Sequence, residues 1–258
     1  KKENNFFNEY FSLIWSKSRK EIIGRKLSHL KKYKGIYGGI GLEDLLAIDL
    51  ENSNFNELIS GMYSISYLDS FGKRRPSFMP ILDFVNHHED GLRYIPTKAG
   101  LEVHGENGHS EVYARYNLHD AIGQYAVYLF SEKTNYGYSI PMQIPLRDGR
   151  KLIIRRDLGN RIHANGAFYP SISKNEKEIV FSFVMISNKM YPSRPVKDFL
   201  QLASELKIEY SFHIWDRIKA NNLQRLLRVY KKIVDLPISD ESSIMKKCIS
   251  DQLHSISY

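Results

Sequence analysis

Apolar residues recur at helical spacing near both ends of this chain and lose that spacing in between, a switch of period that limits the fold more than any other feature. From Phe6 to about Leu30 the apolar positions are Phe7, Tyr10, Phe11, Ile14 and Trp15, then Ile22, Ile23, Leu27 and Leu30. This three-and-four spacing gives a helix one buried face. It returns over Leu42 to Leu50 and Phe55 to Ser70, at Val196, Phe199, Leu200, Ala203 and Leu206, and from Trp215 to Val234. Between Phe78 and Val112 short apolar runs are broken by Gly, Asp, Asn and Pro instead, which predicts brief strands with long connections. The segment "EVYARY", Glu111 to Tyr116, alternates as a strand does. "YSIPMQIPL", Tyr138 to Leu146, is a second extended piece, and its two prolines confine it to a sheet edge or a loop. A chain patterned in this way is α+β, with short strands embedded in helices and a C-terminal helical domain.

The stretch "KGIYGGIG" interrupts the first helical region with glycines at 35, 38, 39 and 41. Neither a phosphate-loop lysine nor the dinucleotide spacing accompanies them, so a linker or turn is expected. The charged "GKRRP" turn is expected to end the helical region that follows.

Composition bounds function as well as fold. With 258 residues, 42% hydrophobic and 26% charged, the chain has the make-up of a soluble globular protein of one large or two smaller domains. No apolar run approaches the ~18 residues of a membrane span. The first residues lead into an amphipathic pattern rather than a signal peptide, so an intracellular, cytoplasmic protein is expected, with the nucleus left open. Cys248 is the single cysteine, which excludes an internal disulfide and a cysteine-rich zinc site. The net charge of +8 is spread over Lys17 to Lys34, Lys73 to Arg75, Arg147 to Arg156 and Arg225 to Lys232. In the last cluster the cations alternate with Leu226, Leu227, Val229, Tyr230 and Ile233, the look of the wet side of a packed helix.

The chemistry-bearing residues gather in the middle. "PILDFVNHH", residues 80 to 88, ends an apolar run in a polar pair, and buried polar groups without partners cost about 1–3 kcal/mol each. Either the fold or a ligand must supply those partners. His87, His88, His104, His109 and His119 with Glu89 and Asp90 lack the tight spacing of metal ligands, so no metal is expected. No Gly-x-Ser-x-Gly elbow and no catalytic cysteine signature is present.

Taken together, the set Pro80, Asp83, Asn86 and His87 and the segment "EVYARYNLHDAIGQYAVYLF" about thirty residues on resemble the SET-domain methyltransferases. The likeness is to the branch of the Rubisco large-subunit lysine methyltransferase and the actin-histidine methyltransferase. "YSIPMQIPL", "GRKLIIRRDLGNRIHANGAFYP", "YPSRPVKDFLQLASEL" and the terminal helices follow in the family's order, so the resemblance runs from about Asn56 to Leu236. It implies a SET-like β fold of short strands, divided as a helical segment at 1–75, a core with the motifs at 76–146 and a helical substrate-binding domain at 147–258. It further implies an S-adenosylmethionine site formed by Asp83, Asn86 and His87, a catalytic tyrosine at Tyr116, and Tyr128 and Phe130 along the substrate channel. The family's Gly-x-Gly strand has no counterpart in residues 1–258. The function so implied is methyl transfer to a lysine, or as second choice a histidine, of a protein substrate. The alternatives are a non-catalytic SET-like protein that binds an acidic protein or, less favoured, a nucleic acid, and a SET-like enzyme acting on a small molecule.

Overall fold

The computed structural model describes residues 24–25, 28–42, 65–68, 74–77, 86–92, 94–97, 100–103, 113–114, 119–131, 134–157 and 169–256. After helical residues 28–32 come α1 (Lys34–Gly39) and six short strands: β1 (Ile65–Leu68), β2 (Arg74–Ser77), β3 (Asn86–Leu92), β4 (Tyr94–Thr97), β5 (Gly100–Val103) and β6 (Tyr113–Ala114). Helix α2 (Ala121–Tyr128) separates these from β7 (Tyr136–Tyr138), β8 (Met142–Pro145), β9 (Lys151–Ile154), β10 (Ile172–Lys174), β11 (Glu178–Phe181) and β12 (Met185–Asn188). Three helices follow: α3 (Arg194–Glu205), α4 (Ser211–Val234) and α5 (Asp240–Ile256). The protein is α+β, with small sheets and a C-terminal helical region.

The largest sheet among the described residues has the order β10-β11-β9-β8. Its inner face is an in-register ladder of buried side chains. Leu152 pairs with Ile144 and Ile179, and Ile154 pairs with Phe181. All five are buried, because period-two alternation sends every second residue to the same side. Strand β8 is an edge of this sheet, the place where the prolines of "YSIPMQIPL" cost no ladder bond. Phe181 carries the core onto the helices through Phe199 of α3, 6.3 Å between ring centroids, and Phe199 meets Trp215 of α4 at 5.4 Å.

Two expectations change. Residues 65–70 were expected to be helical, yet Ile65–Leu68 is a strand. It pairs antiparallel with Arg74–Ser77, so the arginines of "GKRRP" belong to a hairpin arm. Local apolar spacing does not separate a short strand from a helix turn, whereas Ile and Tyr in so short a run favour the strand. The turn between β8 and β9 contains residues 146 and 147, and the C-terminal helices begin at Arg194. Finally, the glycine-rich stretch expected as a linker or turn is helical through Gly39. Tertiary packing outweighs its low propensity: Ile36, Tyr37 and Ile40 are buried in the main core.

Two of those glycines have specific work. A Cβ on Gly39 would lie 3.2 Å from Val229 Cγ2, so the absence of a side chain lets α1 approach α4. Gly41 has φ +76 and packs where a Cβ would overlap the Pro141 ring. Arg225 of α4 secures the same corner, its Nη1 donating to Pro141 O at 2.5 Å and its Nη2 to Gly39 O at 3.4 Å. Asn222, one turn earlier, accepts from Ile140 N at 2.7 Å and donates to Ser139 Oγ at 3.0 Å. Among the described residues no helix is long and apolar enough to cross a membrane. Gly41→Ala is expected to lower stability by about 1 kcal/mol or more, whereas Gly35→Ala, with nothing near its Cβ, should be neutral or stabilising; urea denaturation of both variants checks the contrast.

Candidate functional site

The two motif segments meet in the fold. Strand β3 pairs parallel with β6, Asn86 opposite Tyr113 and His87 opposite Ala114, and a register shift also sets Leu92 against Ala114. The asparagine-histidine pair therefore lies beside β6, which ends two positions before Tyr116 in the sequence. This sheet has two strands, so among the described residues the outer edges of β3 and β6 carry no ladder partner. Backbone N–H and C=O groups on such edges seek partners. The rings of His88 and Tyr113, both exposed, are 5.5 Å apart across the pair. Of the expected site residues, Asp83 and Tyr116, with Pro80 of the same motif, lie outside the described residues; for Asn86 and His87 the backbone is described.

Helix α2 is set by its first cap. Asp120 takes extended backbone angles and its Oδ1 accepts from Gly123 N at 3.0 Å, satisfying one of the free N–H groups of the first turn. The same carboxylate is fully buried and accepts from Arg156 Nη2 at 2.6 and 2.7 Å and from Gln252 Nε2 at 2.7 Å. Arg156 follows β9 and Gln252 lies on α5, so one carboxylate joins three parts of the chain. Arg156 Nε and Nη1 and the Oε1 atoms of Gln124 and Gln252 are also buried and make no hydrogen bond among the described residues. Asp120 is legible as a cap from its place before an apolar helical run. Arg156 and Gln252 are 36 and 132 residues away, and no local pattern marks them.

The other end of α2 turns on Leu129, which caps the helix in the left-handed region at φ 59. That conformation is costly for a residue with a Cβ. The chain reversal brings Tyr128 and Phe130 into a stack, 5.6 Å between centroids and 29° between planes. His119 lies 6.4 Å from the Tyr128 ring. All three are half-buried. The structure thus brings Tyr128 and Phe130 together, with His119 as a third ring that motif reasoning did not single out.

A second polar cluster meets α2 through Tyr125. His29 is buried, with Nε2 2.5 Å from Tyr37 Oη and Nδ1 3.4 Å from Glu241 Oε1. Glu241 also accepts from Lys32 Nζ at 3.1 Å and Tyr33 Oη at 3.0 Å. Tyr125 of α2 presents its ring edge to His29 at 5.2 Å. Burial lowers the His29 pKa from its ordinary 6.5, outweighing the attraction of Glu241. Burial alone would raise Glu241, but hydrogen bonds from Lys32 and Tyr33 and the nearby His29 hold it below its ordinary 4.5. Desolvation pushes Tyr125 up to about 12 and Cys248 up to about 11, so neither is an ionised nucleophile at neutral pH. Among the described residues no three His, Cys, Asp or Glu side chains gather as a metal site.

Comparison with known proteins adds little to this geometry. No family model matches the chain, and no solved structure matches it. A protein of Aquifex aeolicus (strain VF5), described as an uncharacterized protein, is 24% identical over 113 residues, which is 43% of this chain and 93% of that protein.

Asp120→Ala should cost about 3–5 kcal/mol, since it leaves the Arg156 charge buried without its partner; Asp120→Asn, which keeps the cap, should cost less in urea titrations. The depressed His29 pKa makes the unfolded chain the stronger proton binder, so its contribution is full above pH 6.5 and is lost as pH falls below that value. His29→Phe should therefore flatten the stability difference between about pH 7.5 and 5.5, a range in which Glu241 stays ionised; chemical denaturation at the two pH values measures it.

Proposed function

We propose that the protein is a SET-type N-methyltransferase that uses S-adenosylmethionine to methylate a lysine, or as second choice a histidine, of a protein substrate. The observation that carries the reading is the parallel register of β3 and β6. Segments picked out by their resemblance to one family, and separated by about thirty residues, turn out to be neighbours. That adjacency is what one shared ligand site needs and what two unrelated stretches have no reason to show.

The residues present fit the cofactor. An amide and an imidazole at Asn86 and His87 offer donors and acceptors for a polar nucleoside and amino-acid tail. When bound, S-adenosylmethionine supplies an electrophilic methyl on a sulfonium. The acceptor would be a neutral lysine or histidine nitrogen, its proton given up to solvent. The residues then have mainly to align the amine and exclude water. Tyr116, two residues beyond β6, is the hydroxyl proposed to orient the nucleophile, through weak contacts worth about 0.5–1 kcal/mol each. The Tyr128–Phe130 stack, half-buried at the end of α2, suits an alkylamine because aromatic faces attract cations.

The second reading is a SET-like protein without turnover. What favours it is Asn117, which stands where the family has a glycine.

Thermal unfolding with and without S-adenosylmethionine and S-adenosylhomocysteine tests the cofactor claim. At about a hundred times its dissociation constant a ligand stabilises by ~2.7 kcal/mol, a rise of a few degrees in Tm for a chain this size. No rise for either compound would sink the enzyme reading. Given a rise, Tyr116→Phe should keep it while slowing transfer of labelled methyl to protein in an extract; unchanged transfer would remove the tyrosine from the chemistry.

A further inference from the structure

Helix α4 has two apolar faces; the core uses one in full and reaches the other through Tyr230. Ile214, Ile218, Asn222, Leu226, Val229 and Ile233 are buried against the rest of the protein. A second stripe, Ala220, Leu223, Leu227, Tyr230 and Val234, repeats at spacings of three and four. Ala220 is exposed, Leu227 and Val234 are 43% and 47% exposed, and Leu223 and Tyr230 are half-buried. At 1.5 Å per residue the stripe runs for about 21 Å. Its spacing is that of a coiled-coil seam.

The stripe has a one-sided border. Lys219, Gln224, Arg228 and Lys231 flank it, and no Asp or Glu occurs between Asp216 and Asp235. Among the described residues, Lys219, Arg228 and Lys231 form no ion pair. Two turns of basic border on an apolar seam select their own complement. A second copy of this chain would set Arg228 and Lys231 against cations, which like charges oppose. A nucleic acid would satisfy the cations yet leave Leu227 and Val234 in water. We propose that this face of α4 docks an acidic amphipathic helix of a partner protein, its apolar heptad positions against Leu223, Leu227 and Val234 and its carboxylates against Arg228 and Lys231. The inference is independent of the methyltransferase reading.

The test uses the whole chain and a fluorescent four-heptad peptide with leucines at the seam and glutamates beside them, followed by anisotropy. Binding is expected, weakened about 10-fold or more by Leu227→Gln or Leu227→Glu, and weakened severalfold by Lys231→Glu or by raising salt from about 0.05 to about 0.5 M. The same peptide with lysines for the glutamates should not bind. Leu227 is already half in water, and an unchanged Tm of its variants confirms that the fold is kept. Failure of the acidic peptide to bind, or equal binding of both peptides, overturns the proposal. So does dimerisation of the chain that Leu227→Gln abolishes, which would give the seam to a second copy. Binding of a short DNA duplex that survives Leu227→Gln but not Lys231→Glu, with no peptide binding, would give the face to a polyanion instead.

Discussion

A single buried carboxylate holds the described parts of this protein in their mutual positions. Asp120 caps α2, ion-pairs with Arg156 at the end of β9 and accepts from Gln252 on α5. Burying the pair costs several kcal/mol of hydration per ion, so its net contribution to stability is small or even negative compared with an apolar replacement. Its value lies in geometry: the charge has only one satisfactory place to be, and two distant segments must come to it. The direction of α2 is thereby fixed. One flank of that helix meets the His29 and Tyr37 cluster through Tyr125, and its far end presents the Tyr128–Phe130 stack.

The parts of this arrangement that depend on neighbours in sequence could be read from the sequence, and the parts that depend on neighbours in space could not. The helices over Arg194–Glu205 and Ser211–Val234 were plain because their apolar spacing is long and unbroken. The edge position of β8 followed from two prolines that lack an N–H to donate. By contrast, the glycines of α1 carry a local signal for a turn that is overridden by the contact of Gly39 with Val229 and the corner of Gly41 at Pro141, partners far along the chain. Arg156 and Gln252 look like ordinary surface residues until Asp120 is placed between them. Within the candidate site, the partnership of the two motif segments was expected from resemblance alone, and the ladder that joins them supplies a physical reason for treating them as one unit.

The same distinction separates the two functional proposals. Methyl transfer rests on the character of a few residues and on the adjacency of their backbones. The docking of an acidic helix rests on repetition along α4, where each apolar residue is unremarkable singly and only the spacing, the exposure and the uniform sign of the border give it meaning. Both proposals draw on the same general fact, that a protein leaves polar edges or apolar seams uncovered at some cost to solubility and specificity.

Parallel strands cannot be joined by a tight turn, because the chain must travel back along its own length before the second strand begins. Between β3 and β6 this return journey contains the β4–β5 hairpin, whose strands among the described residues pair only with each other. The detour is therefore free to grow or shrink: doubling a flexible loop adds only about 0.6 kcal/mol of closure entropy. Lineages of this chain have room here to vary in length, by a longer hairpin or an added domain, while Asn86 keeps its place opposite Tyr113. The crossover that assembles the motif segments is also a point at which chain can be added at small cost in closure entropy.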